Sequence, residues 1–386
     1  MQQEIEKIEK FIWNSFETEN RIGLFDGLSG LALFYYYLNE AHKKDEHQNK
    51  LIAIVEKIDD LLENNYQLTY CTGLAGYGVM LLKVKSENLE IDESYFENID
   101  DLLQEQLQDF SYENNYDFFH GAMGISMYFI ERYKHNASNE NVNRILIEFT
   151  VTFIDKINAN LNKVLEATSE ERGAFYSFGL AHGVASYINH LIYLKNHFLE
   201  IDFKIDLSLK TCIDFLFEYK KTVDKSRFFY PNVYCIAEQK CIDSRLAWCQ
   251  GDLGIANALF NASQYLNDVN YYNHAKELME NALKINRQES GINDFGLCHG
   301  SSGLIIQYFL TQNKNTGINF DSHIKDWFDF IKIQTNDYEN FLSYNVIENK
   351  NNNENNVLEG AAGLGLTILT LNYQIDTKWL ELFHLH

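Results

Sequence analysis

Two of the six cysteines in this 386-residue chain stand where their side chains could do chemistry. Cys249 lies in "WCQGDLG" (248–254) and Cys298 in "LCHGSSG" (297–303), each two residues ahead of a glycine, and His299 directly follows Cys298. Two thiolates and an imidazole suit Zn2+. Three protein ligands leave the fourth tetrahedral position open, which marks a catalytic rather than a structural zinc site. Adjacent helical residues point about 100° apart, but a non-helical Cys–His step ahead of Gly300 can turn both donors onto one ion. The same residues also read as two buried, inert thiols and a capping histidine, and spacing alone leaves both readings open. His182, in "GLAHG", is either a hydrogen-bonded turn residue or a general acid or base. Asp117, in "NNYDFFHG", reads as a cap or a solvated carboxylate. Arg245, four residues before Cys249, is a surface ion-pair partner or a fixed cation near a developing negative charge.

These residues belong to a repeat. The chain contains "FDGLSGLALFYYYL", "CTGLAGYGVMLL", "FHGAMGISMYFI", "AHGVASYINHLI", "CQGDLGIANALF", "CHGSSGLIIQYFL" and "LEGAAGLGLTIL". Each is G-x-x-G running into an apolar stretch, with Ser186 replacing the second glycine of the fourth copy. The leading glycines, Gly27, Gly73, Gly121, Gly183, Gly251, Gly300 and Gly360, are 46, 48, 62, 68, 49 and 60 residues apart. The preceding residues are Asp26, Thr72, His120, His182, Gln250, His299 and Glu359, so titratable or polar groups recur at one level. A purely structural turn would not need them. Cys249 and Cys298 occupy equivalent places in consecutive copies, so their sulfurs are expected to converge. His120 is expected to be structural, Cys71 to be a core thiol, and Cys212, Cys235 and Cys241 to lie away from this rim.

The elements that must hold the rim follow from periodicity. The run after each glycine pair is apolar nearly all round, as in a helix buried on every side. Between runs lie amphipathic stretches. In "LIAIVEKIDDLL", Leu51, Ile54, Val55, Ile58, Leu61 and Leu62 share a face, and in "HAKELMENALKI", Ala275, Leu278, Met279, Ala282 and Leu283 do the same. The expected fold is all-α, an α/α toroid or double-layered barrel of about seven helical hairpin repeats, with an open solenoid as the alternative. Glycine at the turn is expected to supply positive φ and close helix approach. The helix N-termini are expected to expose unpaired N–H groups that favour thiolates. The asparagine-rich "ENKNNNENNV" (348–357) reads as an interrupting surface loop, and Pro231 as a loop residue. No domain boundary is expected across residues 1–386.

Composition narrows the function. A net charge of −23 argues against nucleic acid as the main partner. The apolar runs are too short to span a bilayer. The opening "MQQEIEKIEKFIWNSF" has neither a basic n-region nor a cleavage site, so a cytoplasmic protein is expected. Sparse cysteines in that compartment read as free thiols or metal ligands.

The order AHG, WC-x-G and CHG, within "GLAHG" (179–183), "RLAWCQGDLG" (245–254) and "LCHGSSG" (297–303), resembles the lanthionine synthetase C-like cyclases over nearly the whole chain. The resemblance implies an α-helical toroid with Zn2+ at its mouth, ligated by Cys249, Cys298 and His299, with His182, Asp117 and Arg245 as catalytic groups. It implies a lanthipeptide cyclase that adds peptide cysteine thiols to dehydroalanine or dehydrobutyrine. The substrate implied is a dehydrated precursor peptide, delivered by a separate dehydratase, since the chain is too short to contain that module. An export transporter and a place at the membrane periphery of the cytoplasm go with such a pathway. Two departures stand out: Gln250 replaces the tyrosine usual after the first zinc cysteine, and Leu253 a frequent proline. Gln250 keeps a second reading in play, a non-catalytic zinc-binding scaffold that recruits a peptide or thiol. A zinc prenyltransferase-like barrel would need different ligand spacing. A glycosidase pairing Asp117 with Asp26 would have no use for the cysteines.

Overall fold

The computed structural model describes residues 2–63, 66–84, 89–169, 175–198, 204–221, 227–345 and 350–385. Two sets of helices alternate along the chain. The amphipathic set is α1 (Gln2–Ser15), α3 (Asp45–Leu62), α5 (Glu93–Tyr112), α7 (Glu140–Ser169), α9 (Asp206–Glu218), α11 (Val269–Ala282) and α13 (Asp321–Gln334). The buried set is α2 (Leu28–His42), α4 (Leu74–Val84), α6 (Ala122–His135), α8 (Val184–His197), α10 (Asp252–Leu266), α12 (Ser301–Gln312) and α14 (Ala361–Tyr373). Every buried helix begins directly after a leading glycine, as the repeat predicts. Leu51, Ile54, Val55 and Ile58 of α3 are buried, and so are Ala275, Leu278, Met279 and Ala282 of α11. Leu61, Leu62 and Leu283, at the ends of those faces, are only half-buried.

The chain forms two compact units. One comprises Met1–Phe96 with Ile292–Trp379, the other Glu97–Gly291 with Leu380–His386. In the first, α2 packs on both α4 and α14, and α12 packs on α14. Backbone bonds run between successive rim loops there. The N–H of Cys298 donates to Leu358 O (2.9 Å), that of Leu358 to Phe25 O (2.9 Å), and that of Phe25 to Cys71 O (3.1 Å). The seventh repeat therefore packs on the first, a contact an open solenoid lacks. In the second unit, α6 packs on α8 and α8 on α10, and Ala181 N–H donates to Cys249 O (3.4 Å).

The reason for the leading glycines differs from the expected one. Gly27, Gly121, Gly183, Gly300 and Gly360 have φ of −148°, −134°, −136°, −107° and −118°, all negative. Only Gly251 among them is left-handed, at φ 85°. What excludes a side chain is space, because the chain doubles back and a Cβ would collide with backbone six residues upstream. That returning backbone also caps the helix. Leu28 N–H donates to Arg21 O (2.8 Å), Leu74 to Gln67 O (2.8 Å), Ala122 to Asn115 O (2.9 Å), Ser301 to Asp294 O (3.0 Å) and Ala361 to Glu354 O (3.0 Å). The first helical N–H groups are thus satisfied by carbonyls. The expectation of unpaired donors waiting for thiolates is corrected at these positions.

Two small antiparallel sheets decorate the longer spacers. In the second unit, β1 (Phe175–Ser177), β2 (Val233–Cys235) and β3 (Lys240–Ile242) pair in the order β1-β2-β3, with Phe175 opposite Cys235 and Val233 opposite Ile242. β1 leads into "GLAHG" and β3 into Arg245 and Cys249, so this sheet ties together the roots of the loops that carry His182 and Cys249. In the first unit, β4 (Leu342–Asn345) pairs with β5 (Lys350–Asn353), Leu342 opposite Asn353. Part of the asparagine-rich loop is therefore a strand. Its poor β propensity is overridden by ladder pairing to a neighbouring strand.

Candidate functional site

Asp117 and His182 form the best-defined pair. His182 Nδ1 lies 2.6 Å from Asp117 Oδ2. The Asp117 side chain is almost fully buried, while that of His182 is 27% exposed, so one end of the imidazole reaches solvent. The other carboxylate oxygen, Oδ1, accepts the N–H groups of Phe119 and His120, both at 2.8 Å. Two backbone donors fix the carboxylate, and the carboxylate fixes the ring. With Nδ1 held against an acceptor, Nε2 is left for proton exchange. Burial on its own would raise the Asp117 carboxyl, but the charge and hydrogen bond of His182, with His120 adding to both, hold it below the usual carboxylate range. This engagement also leaves Asp117 unsuited to a paired-carboxylate hydrolytic mechanism. Asp26 is a different case, with burial pushing it up to about 6 beside Arg21, Glu19 and Glu354.

Cys249 lies in the second unit and Cys298 and His299 in the first, and together two thiols and an imidazole are a donor set suited to Zn2+. All three residues are half-buried, and neither cysteine is in a disulfide. His299 Nε2 lies 3.3 Å from the Oδ2 of Asp294, a nearly buried carboxylate. Asp294 is itself fixed, since its Oδ1 accepts the N–H of Gly296 (2.9 Å). A carboxylate behind a metal-binding histidine is the usual supporting arrangement, as it sets the tautomer and raises ligand basicity. With Nε2 engaged, Nδ1 is the nitrogen that remains for a metal. A Cβ on Gly300 would collide with Asp294 Oδ1, so the glycine makes room for this support. An imidazole oriented in this way, with two thiols, is a donor set whose chemistry fits Zn2+.

Sequence reading missed Asp294. It stands six residues before Gly300, the position whose carbonyl caps the helix in the first, second, third and seventh repeats as well. That position is polar in every copy: Arg21, Gln67, Asn115, Ser177, Arg245, Asp294 and Glu354. A comparison there would have found both Asp294 and Arg245 as members of one set. Arg245 is half-buried, its stem covered by Gly291, and its guanidinium has no ion pair among the described residues. It is therefore available to a ligand, unlike Arg21, which Glu19 holds at 2.7 Å.

Cys71 is buried and its carbonyl is a rim-loop acceptor. Cys212 is buried, which pushes its thiol far up, and burial also raises Cys241 on β3. His120 is half-buried, its ring 6.4 Å from that of His182. Asp252, directly after Gly251, is buried and accepts the N–H groups of Phe229 (2.9 Å) and Tyr230 (3.0 Å). Burial pushes its carboxyl up to about 7 despite those donors.

The chain belongs to the lanthionine synthetase C-like proteins, whose family model matches residues 18–384. It is 24% identical over 413 residues to the nisin biosynthesis protein NisC of Lactococcus lactis subsp. lactis, an alignment covering 97% of this chain and 93% of that one. The solved structure of a nisin cyclase matches with a TM-score of 0.73 at 21% identity, covering 98% of this chain and 97% of that chain. The fold is thus the expected all-α toroid of this family. No helix among the described residues is long and apolar enough to cross a membrane.

Proposed function

We propose that this protein is a zinc-dependent lanthipeptide cyclase, joining peptide cysteine thiols to dehydroalanine or dehydrobutyrine as thioether rings. Membership of the lanthionine synthetase C-like proteins carries the reading, and the donor set of Cys249, Cys298 and His299, whose cysteines hold equivalent places in consecutive repeats, supports it. A free thiol has a pKa of about 8.5 and is mostly protonated at neutral pH. Zinc held by Cys249, Cys298 and His299 would lower that pKa at an open position while leaving the sulfur nucleophilic. The protein's own groups then handle the charge that addition creates. Sulfur attack on the β-carbon of the dehydro residue pushes an electron pair toward its carbonyl oxygen, giving an enolate. Arg245, a cation with no carboxylate partner among the described residues, stabilises that oxygen. His182 delivers a proton from Nε2 to the α-carbon, and Asp117 holds the ring and stabilises its charged form. The thiol loses one proton as its sulfur becomes a thiolate and one proton is added at the α-carbon, so product and substrate have equal mass.

The substrate is a dehydrated precursor peptide, which places a separate dehydratase before this enzyme and an exporter after it. The reaction then belongs in the cytoplasm, peripheral to the membrane. One domain spans both units, since the seven repeats run through them without a break in pattern.

The test is incubation of the zinc-loaded protein with a dehydrated, cysteine-containing peptide. Loss of free thiol with no change in mass is the expected result. Cys298→Ala should remove stoichiometric zinc and this activity together. Zinc retained by the wild type with no thiol loss would replace the cyclase reading with that of a peptide- or thiol-binding scaffold.

A further inference from the structure

The buried helices of the second unit are not wholly apolar. Ser126 on α6, Asn189 and His190 on α8, and Asn257 and Asn261 on α10 are all buried. Such groups must be hydrogen-bonded, because each unmet donor or acceptor costs about 1–3 kcal/mol. Their partners include one another and the segment Leu380–Leu385. Asn189 Nδ2 donates to His384 O at 2.8 Å and to Asn257 Oδ1 at 2.8 Å. Asn261 Nδ2 donates to Asn189 Oδ1 (3.0 Å). His190 lies between Ser126 Oγ (2.9 Å) and His384 Nε2 (3.1 Å). A second anchor secures the segment's other end, where Glu381 meets both Lys134 and Tyr193 Oη at 3.2 Å.

Above these anchors the segment touches the functional loops. The His384 ring stacks on Phe118, with centroids 3.8 Å apart, and Phe118 is the neighbour of Asp117. Trp248, the neighbour of Cys249, donates its indole N–H to Phe383 O (2.9 Å). Phe119 joins the two sides, stacked on Trp248 at 5.6 Å and edge-on to His182 at 5.4 Å. Ordinary core packing would not need a polar ladder, a histidine pair and a directed indole bond converging here.

We infer that the segment Leu380–Leu385 is a positioning floor for the catalytic groups: His384 sets the Asp117–His182 pair through Phe118, and Phe383 sets the Trp248–Cys249 turn. The effect on turnover rests on the cyclase reading above; the effect on the Asp117–His182 bond does not. Neither Phe383 nor His384 is placed against substrate, so both act through their neighbours.

The test compares full-length, zinc-loaded His384→Ala, His384→Phe and Asn189→Ala with the wild type. Phenylalanine keeps a ring against Phe118, and Asn189→Ala loosens the segment without touching the loops. Three quantities are read: kcat and KM on a dehydrated, cysteine-containing peptide, zinc per chain, and the far-downfield imidazole N–H proton resonance of a short His–carboxylate bond. A displacement of about 1 Å at reacting groups costs as much as about 100-fold, so His384→Ala should lower kcat by about 10- to 100-fold. KM and zinc content should stay near wild type, and the downfield resonance should shift or vanish. His384→Phe should restore most of both signals, and Asn189→Ala should fall between. Wild-type kcat and resonance in both alanine variants would overturn the inference. So would a loss of kcat that only tracks lost zinc and folded protein, with phenylalanine no better than alanine. If the wild type retains zinc and makes no thioether, the cyclase reading fails, and the resonance alone decides the role of His384.

Discussion

Asp117→Asn isolates the charge of the proposed acid–base pair. Asparagine can keep its Oδ1 under the N–H groups of Phe119 and His120, so the turn should survive. What changes is the atom 2.6 Å from His182 Nδ1, which becomes an NH2 donor in place of a carboxylate oxygen. A hydrogen bond involving a charged group contributes about 1.5–3 kcal/mol net. At 1.36 kcal/mol per tenfold, this corresponds to about 10- to 150-fold in kcat if it is realised when the imidazole is charged. The near-complete burial of Asp117 favours the upper half of that range. The facing donor also forces a neutral His182 to accept at Nδ1 and carry its proton on Nε2, which adds to the loss. Steady-state assays should show the fall in kcat, with zinc content unchanged and KM little altered. There is an accompanying stability signature. The folded-state pKa of Asp117 is depressed, so its contribution is present above its unfolded value of about 3.9 and is lost as pH falls through the folded value. The wild type's advantage over Asp117→Asn should therefore shrink below about pH 4 in thermal melts. A variant with full kcat and the same pH dependence of melting would refute the assigned role.

Asp294→Asn removes the carboxylate behind His299 and should weaken zinc binding by about 10- to 100-fold in chelator competition; unchanged affinity would show that this contact does not support the site. Asp252 has its folded-state pKa raised, so the stability it contributes is full below about pH 4 and is lost as pH rises through about 7. The stability of the wild type relative to Asp252→Asn, from urea midpoints, should fall across that window; a constant difference would contradict it. Gly300→Ala should lower both zinc affinity and melting temperature, because its methyl group displaces Asp294; normal metal binding would remove the steric reading of this glycine.

Much of this architecture is legible in the sequence because it recurs. Seven leading glycines set the starts of α2, α4, α6, α8, α10, α12 and α14, and 3.6-residue spacing marks the faces of α3 and α11. Lone donors become readable by equivalence: Cys249 and Cys298 matter because they share a place in the repeat. Local rules failed where distant backbone intervenes. The leading glycines were expected to need positive φ, yet five of them are extended and crowded by backbone six residues upstream. β5 was hidden because ladder pairing, not asparagine's own preference, makes the strand. Asp294 and His384 were missed for a related reason. One acts on His299 from behind, and the other reaches Phe118 across a sequence separation that no periodicity reports. The polar interruptions of α8 and α10, at Asn189, His190, Asn257 and Asn261, were the available sign that something polar fills the interior of that unit.

The most direct measurement is X-ray absorption at the zinc edge of the loaded protein, with and without a thiol-containing peptide. The expected first shell holds two sulfurs at about 2.3 Å and one imidazole nitrogen at about 2.0–2.1 Å, completed by an oxygen from solvent. Adding the peptide should exchange that oxygen for a third sulfur. A shell already closed by four protein ligands, or a sulfur count that peptide leaves unchanged, would contradict an open coordination position for the substrate thiol.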